Sequence, residues 1–220
     1  MHLSIRSDRF LHRGGAIMEL LKIENLSKAF KNHQVLNGLN LCVNAGDLIH
    51  IRGQNGCGKS TLFKLICGLE KTDSGTISLT EGVDKGALIE NPGFIENENL
   101  TANLEYLYSL KHSVNRKVIR DYIEAFGLDP DSKTKMKDYS VGMRQKAGII
   151  QAIMEDQNLI LLDEPSRGLD EESLLVLEKI ILKSIQEQKA IIIASHDSLD
   201  NLPFSRKLRL ENGQLYDDCN

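Results

Sequence analysis

The segment "GQNGCGKST", residues 53–61, decides the fold of this chain. It matches the pattern GxxxxGK[ST], and it lies between the apolar run "DLIHIR" and the helix-like run "LFKLICGL". Glycines let backbone N–H groups close around phosphate oxygens, and the N-terminus of the following helix adds a positive dipole end. A random chain of this length matches the pattern roughly once in a hundred. The segment therefore predicts a phosphate-binding loop between a strand and a helix.

The two polar residues at the end of this loop have distinct predicted roles. Lys59 reaches the β and γ phosphates of a nucleoside triphosphate, and the Ser60 hydroxyl is a ligand for Mg²⁺. The predicted nucleotide-binding residues of the loop are Gly53, Asn55, Gly56, Cys57, Gly58, Lys59, Ser60 and Thr61. Cys57 has two interpretations: a reactive thiol at the mouth of the helix, or a small side chain turned into the core.

Two adjacent acids end the apolar run "LILLDEP", residues 159–165. Acids at the tip of a buried strand are costly unless they have a function there. We predict that Asp163 holds Mg²⁺ and that the catalytic residue Glu164 polarises the attacking water. The alternative is an acidic turn that follows a strand.

A histidine closes the next apolar run, "AIIIASH". One helix separates this strand from the acidic strand, so both should end at the nucleotide side of the sheet. We predict that His196 is a catalytic residue that contacts the γ phosphate. The alternative is a surface or capping histidine.

Strand-like and helix-like segments alternate at both ends of the chain, with an all-helical block between them. This order predicts an α/β fold: a P-loop NTPase core with a mostly parallel sheet, an N-terminal antiparallel β-subdomain and an inserted helical subdomain at about residues 91–155. Residues 18–220 are expected to form one domain. Residues 1–17 carry three arginines and no apolar core, and we interpret them as a disordered leader, with an Arg-rich transit peptide as the alternative.

Bulk composition excludes several classes of protein. The net charge is −4, which argues against a protein that coats nucleic acid. No apolar run approaches the roughly 18 residues of a membrane span. The 4 cysteines show neither a CxxC pair nor metal-ligand spacing, which is typical of a reduced cytoplasmic protein.

The order and spacing of these motifs, from Met18 onward, resemble the nucleotide-binding subunit of an ABC transporter. "YSVGMRQ", residues 139–145, is similar to the signature motif of that family. The resemblance implies that two subunits face head to tail and that the signature of one acts on the ATP of the other. The signature residues are Ser140, Val141, Gly142 and Met143. Val141 stands where a glycine is usual and Met143 where a glutamine is usual.

Three further positions take roles from the resemblance. "SRGLD" resembles the D-loop, with Asp170 at the interface of the dimer. Phe30 matches the aromatic residue that stacks on adenine, and a core residue is the alternative. Glu90, in "GALIENPGF", replaces a glutamine that touches Mg²⁺ and senses the membrane subunit, and we predict that the Glu90 carboxylate is a Mg²⁺ ligand. This segment and "SVGMRQK" are similar to exporters of the bacitracin-resistance and lantibiotic-immunity branch.

The resemblance implies a subunit that binds and hydrolyses ATP with Mg²⁺, dimerises on ATP and powers a separate integral membrane permease. An exporter and a homodimer are favoured, with a heterodimer as the alternative pairing. The expected location is cytoplasmic, peripheral on the inner face of the cell membrane, and no nucleic-acid partner is expected. The alternative class is a soluble, non-transport ABC-type ATPase that acts as a mechanical switch in assembly or repair. A regulator that does not hydrolyse ATP is disfavoured by Glu164 and His196.

Overall fold

Two β-sheets organise the computed structural model, which describes residues 18–31, 33–90, 92–196 and 201–218. Residues 1–17, interpreted above as a leader, lie outside the described residues. The strands are β1 (Glu19–Phe30), β2 (His33–Asn44), β3 (Leu48–Arg52), β4 (Ser74–Leu79), β5 (Lys85–Leu88), β6 (Leu159–Asp163), β7 (Ala190–Ala194), β8 (Arg206–Glu211) and β9 (Gln214–Asp217). The helices are α1 (Lys59–Cys67), α2 (Leu100–Ser109), α3 (Arg116–Ala125), α4 (Val141–Ile153) and α5 (Glu171–Gln186).

The smaller sheet has three antiparallel strands in the order β2-β1-β4. Leu21 and Ile23 of β1 alternate with exposed Lys22 and are buried, as a strand with one face on the core requires. Leu21 pairs with Val43 of β2 on one side and with Leu79 of β4 on the other. Apolar side chains of β1 and β2 share a core with those of α1 and with one face of the second sheet.

The larger sheet has six strands in the order β5-β6-β7-β3-β8-β9. Strands β5, β6, β7, β3 and β8 are parallel, and β9 pairs antiparallel to β8 through a turn at Asn212 and Gly213. Strands β6 and β7 are buried along their whole lengths, in keeping with their continuous apolar sequences. Because parallel strands end at one edge, the residues that follow β3, β6 and β7 meet there.

Helix α4 lies directly on the backbone of β5, and two glycines permit the contact. A Cβ at Gly86 of β5 would lie 1.8 Å from the carbonyl oxygen of Ala152. A Cβ at Gly148 of α4 would lie 2.6 Å from Leu88 Cδ1 and 2.7 Å from Pro92 Cγ. Helices α2 and α3 pack against α4 and contribute to the second apolar core.

The predicted fold class is confirmed: the large sheet is mostly parallel and the N-terminal sheet is antiparallel. The boundaries proposed for the helical subdomain stay a prediction. Within the described residues, every helix is too short or too polar to span a bilayer.

Candidate functional site

The phosphate-binding loop connects β3 to α1 as predicted. Gly58 is the N-cap residue of α1, and its φ of 114° lies in the left-handed region. A Cβ there would also lie 2.9 Å from Val35 Cγ1, so glycine is required on both counts. Since glycine has no side chain to accept from the first-turn N–H groups, those donors remain for an anion.

The buried Lys59 side chain packs against the backbone of this loop. Its side chain is only 6% exposed, and Nζ donates to the carbonyl oxygens of Gly53 at 2.7 Å and Gln54 at 3.3 Å. The same Nζ lies 3.9 Å from Glu164 Oε1. The ammonium group therefore links the phosphate-binding loop to the acid that follows β6.

Ser60 and Asp163 meet across the loop and the end of β6. The Ser60 hydroxyl donates to Asp163 Oδ2 at 2.5 Å. Burial raises the pKa of Asp163, while the Ser60 hydrogen bond opposes the shift. Two hard oxygen ligands therefore converge at one point, which fits the ligand preference of Mg²⁺.

Glu164 is fixed by backbone and side-chain contacts. Its φ of 47° lies in the left-handed region, its N–H donates to the Ala194 carbonyl at 2.8 Å, and its carbonyl accepts from Gln145 Nε2 at 2.9 Å. Its carboxylate oxygen Oε2 lies 2.9 Å from His196 Nδ1. The structure thus brings His196 to Glu164, and the contact of His196 with a γ phosphate stays a prediction.

Lys59, Ser60, Asp163 and Glu164 line one cavity of about 540 Å³ between the loop and α4. Its lining residues are Asn55, Gly56, Gly58, Lys59, Ser60, Thr61, Glu90, Pro92, Val141, Arg144, Gln145, Asp163, Glu164 and Arg167. Four of them were not identified from the sequence: Pro92, Arg144, Gln145 and Arg167. Arg144 and Gln145 directly follow the quoted signature residues, so their positions in that stretch were a usable signal.

Glu90 follows β5 and is paired with a lysine that the sequence analysis missed. Lys64 Nζ donates to Glu90 Oε1 at 2.8 Å. Lys64 lies one helical turn after Ser60 on α1, so helical spacing alone places the two on the same face. The backbone of Glu90 has a φ of 52°, in the left-handed region.

Four of the described residues that were predicted to bind nucleotide or to act in catalysis are absent from the cavity lining: Phe30, Gly53, Cys57 and His196. The Cys57 side chain packs partly buried against the core and close to Gly53, where a Cβ would meet its Sγ at 2.5 Å. The interpretation of Cys57 as a core-facing side chain is therefore favoured over a thiol that faces nucleotide. Phe30 is 43% exposed with Lys28 Nζ 5.0 Å from its ring centroid, so the core alternative for Phe30 is wrong.

Three of the signature residues, Ser140, Gly142 and Met143, line a second hollow at the start of α4, whereas Val141 lines the first cavity. Ser140 is the N-cap, and its Oγ accepts from the Met143 N–H at 3.2 Å. A Cβ at Gly142 would lie 2.4 Å from the Gly168 carbonyl oxygen, so glycine is required there, whereas Val141 is exposed. A hollow of about 440 Å³ is lined by Ser140, Gly142, Met143, Lys146, Gly168, Leu169 and Asp170. Of the described residues, those of the phosphate-binding loop are absent from its lining.

Asp170 is already engaged within its own subunit. It caps α5 by accepting from the Ser173 N–H at 2.8 Å, and it accepts from Lys146 Nζ at 2.9 Å. The hydrogen bonds from Ser173 and the Lys146 ammonium hold the pKa of Asp170 well below its usual range. Its predicted position at a dimer interface is untested by these contacts.

Comparison with known proteins identifies a family that this chain resembles over most of its length. The family described as ABC transporter matches residues 36–167. The chain is 34% identical over 192 residues to the bacitracin transport ATP-binding protein BcrA of Enterococcus faecalis, covering 82% of this chain and 62% of that protein. It is 32% identical over 185 residues to the lantibiotic transport ATP-binding protein SrtF of Streptococcus pyogenes, covering 80% of each.

A solved structure supports the same fold. The structure described as the ATP binding subunit of ABC transporter superposes with a TM-score of 0.79 at 24% identity, covering 89% of this chain and 88% of that one. The predicted similarity to bacitracin and lantibiotic transport proteins is confirmed by the two relatives. The chain spans about 62% of the length of its bacitracin relative. The match over more than half of its residues shows that this chain belongs to the ABC transporter family.

Proposed function

We propose that this chain binds ATP with Mg²⁺, hydrolyses it and powers a separate membrane permease, with export favoured. The observation that carries the proposal is the meeting of Lys59, Asp163 and Glu164 around one cavity at the carboxyl edge of the parallel sheet. The names of the bacitracin and lantibiotic relatives support transport as the process.

Binding of the triphosphate falls to the loop and α1. The N–H groups before and within the first turn of α1 donate to the phosphate oxygens, and Lys59 neutralises part of their charge. Ser60 and Asp163 would hold Mg²⁺, which supplies charge stabilisation to the phosphates when bound. Phe30, exposed at the end of β1, remains our proposal for the adenine contact.

Hydrolysis falls to Glu164. Its carboxylate lies at the cavity wall, where it orients a water for in-line attack and accepts its proton. His196, 2.9 Å from Oε2, holds that carboxylate in place. Lys59, 3.9 Å from the other oxygen, adds a positive charge where negative charge develops.

The position of the signature supports completion of the site by a second subunit. Ser140 and the N-terminus of α4 line a hollow of their own and so are available to a nucleotide on a facing chain. We propose a homodimer that forms on ATP, with Asp170 near its interface. Its location would be cytoplasmic, on the inner face of the membrane, through contacts of the loop at residues 91–100 with the permease.

The substitution Glu164→Gln tests the catalytic proposal. We expect the variant to bind MgATP, to hydrolyse it about a hundred-fold or more slowly than wild type, and to elute as an ATP-dependent dimer, because the amide cannot accept a proton. Phosphate release and size-exclusion chromatography measure the two effects. Glu172→Gln, an exposed acid on α5 outside the cavity, is the matched control and should turn over normally.

Two outcomes contradict this proposal at different levels. Turnover near that of wild type in Glu164→Gln would show that the base is elsewhere. Absence of saturable MgATP binding to the wild-type chain would reject the function itself. The transport step is tested separately, by asking whether the chain enters the membrane fraction only when a candidate multi-span partner is coexpressed.

A further inference from the structure

The carboxylate of Glu90 presents an electrostatic problem for a triphosphate site. Glu90 lines the same cavity as Asp163 and Glu164, so three acids face the proposed position of the nucleotide. A third carboxylate beside phosphate groups repels them. A cation that pairs with Glu90 reduces this repulsion, in addition to the Mg²⁺ proposed at Ser60 and Asp163.

The cations that line the cavity are largely engaged with other partners. Lys59 donates to two loop carbonyls and faces Glu164. Arg144 pairs with Glu96 and also donates to the Met136 carbonyl. Arg167 is the third cation of the lining, and the ion pair of Glu90 is made by a residue outside that lining.

Lys64 is that residue. Its Nζ lies 2.8 Å from Glu90 Oε1, and the side chains of Lys64 and Glu90 are 33% and 56% exposed. The pair connects the helix that begins at the phosphate-binding loop to the segment that follows β5. Lys64 is one turn from Ser60, so its charge is close to the proposed Mg²⁺ and phosphate positions.

The backbone conformation of Glu90 indicates that surrounding contacts fix this residue in place. A φ of 52° is unfavourable for a residue with a side chain, and such conformations persist where surrounding contacts maintain them. On one side Leu88 and Pro92 pack against Gly148 of α4. On the other side the contact is the ion pair with Lys64.

We propose that Lys64 is a positioning residue of the nucleotide site: it holds and neutralises Glu90 so that a carboxylate can stand beside the triphosphate. The proposal rests on the proposed function, since its ligand is MgATP. It assigns to Lys64 no direct contact with phosphate. The effect of Lys64 on nucleotide affinity must therefore depend on the presence of the Glu90 charge.

A double-mutant cycle measures this dependence. The dissociation constant for MgATP is determined by titration with a fluorescent ATP analogue for wild type, Lys64→Gln, Glu90→Gln and the double variant. We expect Lys64→Gln alone to weaken binding about five-fold, because it leaves Glu90 uncompensated near the phosphates. We expect the double variant to bind within about two-fold of Glu90→Gln, because no charge remains to be offset.

Two further variants separate charge from packing. Lys64→Arg keeps the charge and should bind MgATP as wild type does, within about two-fold. Lys117→Gln breaks a comparable exposed ion pair, with Asp121 on α3, and should leave binding unchanged. The weakening in Lys64→Gln should also shrink at high salt, since partly exposed charges are screened. Thermal melts check that each variant is folded.

Three results would overturn the proposal. The first is unaltered affinity in Lys64→Gln. The second is an equal loss of affinity when Lys64→Gln is made in the Glu90→Gln background, which would mean that Lys64 acts on the phosphates itself. The third is a loss in Lys64→Arg as large as in Lys64→Gln. Failure of wild type to bind MgATP would instead reject the proposed function, so the two failures are distinguishable.

Discussion

Individual carboxylates in this chain differ because their neighbours differ. Burial raises the pKa of Asp163 at the end of β6, and burial also raises the pKa of Glu155, just after α4. The pKa of Asp170 moves the other way, because the hydrogen bonds from Ser173 and Lys146 favour its ionised form. Desolvation therefore raises the pKa of a carboxyl group in this chain, and hydrogen bonding lowers it.

Glu155 allows a test of this tuning through stability. The pKa of Glu155 is higher in the folded than in the unfolded state, because the folded protein favours the protonated carboxyl. The stability that this group contributes is therefore fully present below its unfolded pKa and is lost as pH rises through its folded pKa. At pH 8 the wild type thus keeps a charge in a poorly hydrated position. We expect Glu155→Gln to melt at a higher temperature than wild type at pH 8, with the difference shrinking towards pH 5.

The control for this prediction is Glu124→Gln, an exposed acid on α3. It should change the melting temperature little and with no trend in pH. If Glu155→Gln gains no stability at pH 8, then His112, 3.9 Å away, and Lys111 compensate the buried charge of Glu155 in full. A difference in melting temperature that grows as pH falls would contradict the prediction.

The site residues that the sequence predicted are those set by local pattern. Lys59 and Ser60 follow from the loop motif, and Asp163 and Glu164 follow from acids at the tip of an apolar strand. The pairing of Lys64 with Glu90 depends on which elements pack together, and no local pattern reports that. Cys57 shows a further limit of prediction from the sequence. A motif predicts the path of the backbone, but the direction of a variable side chain depends on how it packs against the core.

At the scale of elements, the apolar and helix-like runs beside the motifs predicted the strands and the helix that carry the site. Continuous apolar runs gave β6 and β7, and apolar residues at helical spacing gave α1. The contact between α4 and β5 could not be predicted from such runs. It depends on two glycines, Gly86 and Gly148, that belong to no recognisable motif in the sequence. Their function is to be small where two backbones meet.

Substitution of Gly86 tests this contact. We expect Gly86→Ala to lower the free energy of unfolding by about 1–3 kcal/mol, since its Cβ would overlap the Ala152 carbonyl and force α4 away from β5. Urea denaturation measures the change. Gly93→Ala is the matched control, because a Cβ at Gly93 meets nothing within 4 Å, and it should lie within about 0.5 kcal/mol of wild type. Equal midpoints for the two variants would mean that α4 moves aside freely.

At the scale of the whole molecule, the parallel sheet brings the polar side chains of the site from distant parts of the sequence to one edge. The phosphate-binding loop follows β3, the acids follow β6 and His196 follows β7, with β7 between the other two strands. Helix α4 starts at the signature, passes over β5 and ends near Gly86. It therefore spans the distance between the Glu90 segment and the residues proposed to face a second subunit.

The close seating of α4 on β5 has a consequence for hydrogen exchange. A helix that touches a strand backbone to backbone cannot open without disturbing that strand, so the two should form one cooperative opening unit. In native-state exchange we expect the buried amides of α4 and β5 to converge on one opening free energy at low denaturant. Amides of α4 that open well before those of β5 would contradict this. In the expected case, Ser140 at the start of α4 and Glu90 beyond the end of β5 would lose their order in a single event.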